Sequence, residues 1–316
     1  MGGTETEAAG GSGAGDRVGL MWLKVQRRNG GLRLGGLIRL GVLRRRWRIY
    51  YFLVRIHHIE GKLVLCNPST RIYRVIPSPS FNEAIFLYNG PFHVRYGFGY
   101  DESHDDYKVI YIKDTNYIFP EPYQYETRMY SSKTNSWKKF DNYEKHRLQG
   151  THDVILVKGR LHWLVQYNRN TGSRDIVSLD LAEEEYHTFS HGVEYSSGVV
   201  SLVELGGYLG LMNLMSGADA NVWVMKEYGV TESWTKVWTL SNFIDQLPRK
   251  CIGDRGKLKP LCWSKNRDIL IASGQYVVVC NGKNVLRKSR VGSVFEHRIQ
   301  PIVYIESLVS PLIDQQ

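Results

Sequence analysis

Cysteine is scarce in this sequence, and no apolar run is long enough to cross a membrane. Cys66, Cys251, Cys262 and Cys280 form no CxxC pair. That argues against a disulfide scaffold and suits a reducing cytoplasmic or nuclear compartment. The charge-free stretch from Leu205 to Ala218 is 14 residues long and is interrupted by glycines. A spanning helix needs roughly 18, so no membrane partner is expected. The N-terminus lacks the basic start and apolar core of a secretory signal, and Glu5, Glu7 and Asp16 do not suit a transit peptide. Catalytic signatures are missing too. There is no GxSxG or HExxH, and Gly97-x-Gly99 has neither the third glycine nor the Lys-Ser/Thr of a phosphate loop. No catalytic residue, cofactor or metal is expected, and the chain does not read as an enzyme.

What is present is an ordinary globular composition, 42% hydrophobic and 23% charged over 316 residues. That length allows one large domain or two modest ones. The net charge of +10 is uneven: residues 1–62 carry twelve Lys/Arg against four acids, while residues 63–316 are nearly balanced. Residues 1–16, rich in Gly and Ala, cannot bury a core and read as a disordered tail. Residues 17–56 form a basic arm of uncertain structure. It has no helical apolar stripe, and Gly30, Gly31, Gly35, Gly36 and Gly41 would weaken a helix. Binding to nucleic acid through this arm is not expected.

From residue 57 to 312 the sequence becomes a series of strands and polar turns. One unit recurs: an apolar strand, a polar turn, then a strand opening near an aromatic residue. It runs from Leu63 to Tyr73, from Met129 to Trp137, from Val177 to Tyr186 and from Val222 to Trp234, with a weaker copy ending at Leu286. The markers Tyr73, Trp137, Tyr186 and Trp234 are separated by 64, 49 and 48 residues. Inner hairpins lie between them: 96–101 with 107–111, 154–157 with 161–164, 202–205 with 208–211, and 258–263 with 268–271. A period near 50 with about four strands per unit points to an all-β, kelch-like β-propeller of about five to six four-stranded blades, preceded by the irregular basic arm. The run from Pro301 to Leu308 is expected to complete a blade with the hairpin before residue 74.

Polar residues in this body have plain structural readings. His57 and His58 are adjacent and would point to opposite faces of a strand, which makes a poor chelate. His162 beside Trp163 reads as a hydrogen-bonded core histidine. Asp105-Asp106 read as turn caps. The longer first gap reflects an insertion from Asp114 to Tyr125, with Tyr117, Phe119, Tyr123 and Tyr125 accompanied by Pro120 and Pro122. Prolines limit the entropy lost on ordering and aromatic rings are good anchors, so these four aromatics are the candidate partner-binding loop.

Six segments, in order, resemble the F-box-associated domain of plant F-box proteins of the F-box/kelch-repeat type. They are 66–71 (CNPSTR), 96–101 (YGFGYD) with 105–109 (DDYKV), 130–137 (YSSKTNSW), 159–164 (GRLHWL), 222–230 (VWVMKEYGV) and 232–236 (ESWTK). The resemblance implies the substrate-recognition part of a cullin-type (SCF) ubiquitin ligase receptor, with a protein substrate and a ligase adaptor as partners. Such proteins open with a helical F-box that starts at a Leu-Pro pair. No Leu-Pro pair precedes residue 247, and residues 17–56 lack helical periodicity. This chain is therefore expected to bind a target but not the adaptor. The alternative is an enzyme acting on a carbohydrate or small molecule on a propeller scaffold, since fold does not fix function.

Overall fold

The computed structural model describes residues 18–28, 31–39, 63–67, 72–77, 79, 94–114, 125–140, 147–148, 154–166, 174–191, 200–214, 219–247, 258–263, 268–273, 276–281, 284–290 and 298–303. The chain starts with β1 (Val18–Arg28) and β2 (Gly31–Arg39), then β3 (Leu63–Asn67) and β4 (Ile72–Ile76). Blade I holds β5 (Val94–Asp101), β6 (Asp106–Asp114), β7 (Tyr125–Ser131) and β8 (Ser136–Phe140). Blade II holds β9 (Arg147–Leu148), β10 (Ile155–Val157), β11 (Arg160–Gln166), β12 (Arg174–Asp180) and β13 (Tyr186–Ser190). Blade III holds β14 (Val200–Leu205), β15 (Tyr208–Leu214), β16 (Ala220–Met225) and β17 (Trp234–Leu240). Blade IV holds β18 (Lys259–Trp263), β19 (Ile269–Ser273), β20 (Tyr276–Cys280) and β21 (Val285–Arg290), and β22 (Arg298–Val303) comes last. The only α-helix among the described residues is the single turn Phe243–Gln246. None is long and apolar enough to cross a membrane.

Each blade is a meander of consecutive antiparallel strands, and β9 and β10 share one edge of β11. The strands β5, β10, β14 and β18 lie beside one another at the centre of the array. Blades stack face to face, so their middle strands are buried on both sides. In β11, Leu161, Trp163 and Val165 join the core shared with blade I, and Leu164 joins the core shared with blade III. That is why β11 reads as an unbroken apolar run rather than an alternating one. Two-residue turns close the inner hairpins of blades II and III. Lys158 and Gly159 both have positive φ (49° and 72°), as do Gly206 and Gly207 (64° and 90°), the geometry that matches strand twist. Gly206 also sits directly against the Trp263 indole, where a side chain would clash.

Three expectations need correction. Among the described residues the blades number four, not five to six, and blade II carries the short β9 as a fifth strand. Among the described residues, β3 and β4 form a two-stranded sheet, packed on blade I through Leu63, Leu65 and Ile76. The C-terminal strand does not complete that sheet. It pairs with β1, in a three-stranded sheet ordered β2-β1-β22. The arm is accordingly not irregular over 18–28 and 31–39. Its glycines oppose a helix but do not oppose a hairpin. His57 and His58, and most of the run from Pro301 to Leu308, lie outside the described residues.

Candidate partner-binding face

Strand order sorts the connections into two sets. The links β5–β6, β7–β8, β10–β11, β12–β13, β14–β15, β16–β17 and β20–β21 all emerge at one end of the array. They are short and internally bonded. Asp101 Oδ1 accepts from the backbone N–H of Ser103 (3.0 Å) and of His104 (3.2 Å). Asp180 Oδ1 does the same for Ala182 (2.8 Å) and Glu183 (3.0 Å). The expected cap by Asp105-Asp106 is divided. Exposed Asp105 accepts from the Tyr100 hydroxyl, while buried Asp106 reaches the next turn, accepting from Ser132 Oγ (2.9 Å) and Lys133 N–H (3.0 Å).

This end also carries a clamp between blades. Lys108 Nζ lies 2.9 Å from Asp101 Oδ2, donates to the Leu181 carbonyl at 2.5 Å and reaches Glu184 Oε1 at 3.3 Å. Lys138 holds the other Glu184 oxygen at 2.6 Å. Burial pushes the Lys108 pKa down, but Asp101 and Glu184 outweigh it and hold the pKa above the usual lysine value.

The opposite end gathers the longer connections, including the insertion. Asp114 pairs with Tyr125, so the two strands bring the roots of segment 115–124 together. Of the four candidate aromatics, Tyr125 stands at the start of β7, and Tyr117, Phe119 and Tyr123 lie outside the described residues. Buried polar side chains collect at this end: Arg95, Lys113, Thr127, His191, Ser201, Asn213 and Asn221. Some cross between blades. Arg95 Nη1 donates to the Leu164 carbonyl of blade II at 3.0 Å, and Ser201 Oγ donates to the Leu258 carbonyl at 3.3 Å. Burial lowers the Lys113 pKa; Glu126 opposes this and Arg128 adds to it. The sequence signal for Arg95 and Lys113 is a charge inside an apolar strand, which belongs to no motif.

Of the repeat markers, Trp137, Tyr186 and Trp234 stand at or next to the start of the last strands of blades I, II and III, and Tyr73 lies on β4 of the two-stranded sheet. Trp137 Nε1 donates to the Pro77 carbonyl at 2.6 Å. Tyr186 packs edge-on to Trp163, with centroids 6.1 Å apart. Trp234 lies partly buried against the core shared by blades II and III. Tyr73 pairs with Cys66 across the β3–β4 ladder. Among the described residues, no three His, Cys, Asp or Glu side chains come together in a metal-holding group.

The F-box associated beta propeller domain matches this chain over residues 51–311. The chain belongs to that family. Similar proteins of Arabidopsis thaliana carry F-box names. It is 31% identical to F-box protein CPR1 over 238 residues, covering 68% of this chain and 55% of that one. It is 26% identical to F-box/kelch-repeat protein At3g23880 over 256 residues, covering 80% of this chain and 65% of that one. With F-box protein At4g22390 the identity is 29%, covering 66% of this chain and 54% of that one. The chain thus spans between half and two thirds of the length of these curated relatives.

One residue of this F-box associated propeller makes stability depend on pH. His162 is fully buried, and its Nε2 lies 2.6 Å from the Tyr228 hydroxyl. Burial pushes its pKa down to about 4. An unfolded chain binds that proton near pH 6.5, so between pH 6.5 and 4 the unfolded state binds more protons. Stability from this group is complete above about pH 6.5 and is lost as pH falls towards 4, a loss on the order of 2–3 kcal/mol. Urea unfolding at pH 7 and pH 4.5 should show this loss in the wild type and a clearly smaller one in His162→Phe. Equal losses in the two proteins would show that His162 is not the titrating group.

Proposed function

We propose that this chain is a non-enzymatic protein-binding propeller, serving as the substrate-recognition part of a cullin-type (SCF) ubiquitin ligase receptor. The observation that carries this reading is the F-box associated propeller match over residues 51–311. The relatives' F-box names support it. The target is a protein, held at the end where the longer connections emerge, in the cytoplasm or nucleus. Rigid stacked blades suit that task, because they fix the roots of variable loops. The hairpin insertion contributes Tyr117, Phe119, Tyr123 and Tyr125 as anchors. This chain supplies proximity, and ubiquitin transfer is done by other subunits. Residues 17–56 do not dock the adaptor in this reading, which the β-hairpin over 18–39 supports.

The test compares the wild type with a variant carrying Ala at Tyr117, Phe119, Tyr123 and Tyr125. Proteins captured by the wild-type chain are identified, then re-measured one by one as purified preys. Loss of these anchors should weaken the true target at least about tenfold, with the melting temperature unchanged. The target's ubiquitylation should depend on this chain. A prey that binds both versions equally would remove the loop from the reading. A bound prey whose ubiquitylation ignores the chain would remove the ligase role.

A further inference from the structure

The chain's excess positive charge sits in one stretch. From Arg17 to Ile59 there are ten arginines and one lysine, with no acidic residue. Part of that stretch is a β-ribbon. β1 and β2 pair antiparallel from Met21 opposite Arg39 to Arg28 opposite Gly31, which leaves Asn29-Gly30 as the turn. Asn-Gly is a favoured pair there, because both central residues of the preferred hairpin turn need positive φ. β22 pairs with β1 from Val18 to Leu23. Among the described residues, β1 from Lys24 to Arg28 is therefore paired with β2 alone, as a two-stranded extension that ends at the turn.

The extension holds four cations, Lys24, Arg27, Arg28 and Arg33, and no carboxylate. Alternation along β1 puts Lys24, Gln26 and Arg28 on one face, where Arg33 joins them as the partner of Gln26, and puts Arg27 on the other. Cations on both faces suit a polyanion that encloses the element rather than a flat anionic surface. The tip, Asn29-Gly30-Gly31, has no apolar side chain to bury in a lipid layer. Its glycines let the backbone come close to a ligand. Arginine in ten of eleven cationic places matters too, since its planar fork meets a phosphate with two parallel hydrogen bonds. The major groove of B-form DNA admits a two-stranded ribbon, whereas that of duplex RNA is deep and narrow.

We propose that residues 24–33 form a DNA-binding ribbon, which enters the major groove of a duplex and neutralises its phosphates. The sequence alone speaks against nucleic acid here because glycines weaken a helix. A ribbon is the other element that fits this groove, and it uses glycine at its turn. Binding of this kind depends strongly on salt and little on base sequence. This inference stands apart from the target-binding reading and does not depend on it.

The test measures binding of the full chain to a labelled DNA duplex of about two helical turns by fluorescence anisotropy. Neutralising four phosphates should make affinity fall by about a hundredfold or more between roughly 50 and 200 mM salt. The quadruple variant Lys24→Gln, Arg27→Gln, Arg28→Gln, Arg33→Gln should bind at least about thirtyfold more weakly at low salt. The control Lys139→Gln, Lys226→Gln, Arg287→Gln, Lys288→Gln removes the same charge from exposed places on the blades and should stay within about threefold of the wild type. Gly30→Pro keeps every charge but cannot adopt the positive φ of the turn, and should lose at least about tenfold. A second measurement needs no substitution. Bound duplex should protect Arg27, Arg28 and Arg33 of the unaltered chain from phenylglyoxal at least about fivefold more than Arg287. Equal losses in the quadruple variant and the control would overturn the ribbon, as would unchanged binding of Gly30→Pro or equal protection of Arg287. Equal competition by poly-glutamate or by phosphatidylserine vesicles at matched charge would overturn the assignment to DNA.

Discussion

Lys108→Met should destabilise the propeller by about 3–4 kcal/mol, because it removes the cation and leaves the carboxylate of Asp101 in place. The Asp101 side chain is wholly buried and that of Lys108 nearly so. Methionine keeps most of the stem, so the loss reports the charge rather than packing. Asp101 would keep His104 Nδ1 at 2.8 Å and two backbone N–H donors, which holds the loss below the top of the range for a broken buried pair. Glu184→Gln is the contrast. Glu184 is about one quarter exposed and faces Lys138, which is mostly exposed, so its loss should stay near 1 kcal/mol or less. The acid limb separates the two further. Burial pushes the Asp101 carboxyl up, but Lys108 and His104 outweigh it and hold it below the usual value. A lowered carboxyl pKa gives stability that is present above about pH 3.9 and lost as pH falls through the folded value. With the ammonium gone that margin shrinks, and acid unfolding of Lys108→Met should begin at a higher pH. Chemical denaturation of the three proteins at pH 7 and pH 4 decides this. A loss below about 1 kcal/mol for Lys108→Met would mean that the clamp is solvated.

Trp163→Ala should cost about 3–5 kcal/mol, the usual range for emptying a buried indole site. Trp163 is fully buried between blades I and II, among Ile110, Ile112, Met129, Val165 and Leu179. These residues come from both blades, so the cavity cannot collapse without separating them. Trp163→Phe keeps part of the volume and should cost clearly less. Trp137, only partly buried at a repeat-marker position, should cost less than Trp163 when cut to alanine. If Trp163→Ala and Trp137→Ala lose the same stability, the joint between blades I and II is not packed as described.

The parts of this fold that were legible in the sequence are those encoded locally. The inner hairpins of blades II and III carry their own turns: Lys158-Gly159 and Gly206-Gly207 are two-residue turns flanked by apolar strands. Trp137, Tyr186 and Trp234 stand on the last strands of blades I, II and III, whereas the last strand of blade IV carries no aromatic residue. Counting each marker as a blade overshot, since Tyr73 belongs to a two-strand sheet. The glycines of the arm oppose a helix but suit a hairpin: Gly35 lies where the β1–β2 register shifts, between Gly36 opposite Lys24 and Leu34 opposite Val25. The clamp was illegible for another reason. Lys108 meets Leu181 and Glu184 across 73 and 76 residues of sequence, and no periodicity announces such a partner. Asp105 and Asp106 were adjacent in the sequence but alternate faces of the strand end, so they serve different turns. The candidate loop was visible as an insertion, through its length and its prolines, although nothing in its residues names what it holds.

The parallel pairing of β1 with β22 sets an order of events during synthesis. β1 leaves the ribosome about 270 residues before its partner, and at roughly 5–20 residues per second it waits on the order of 15–50 seconds. Through that interval blades I to IV can form one after another, while a strand of the arm still lacks its partner. An unpaired strand edge is the feature that invites association with other chains. A message cut before codon 298 would leave that edge open permanently. Such a product would be a protein with sound blades and an adhesive end, and quality control in the cell would meet it as a client rather than as a receptor.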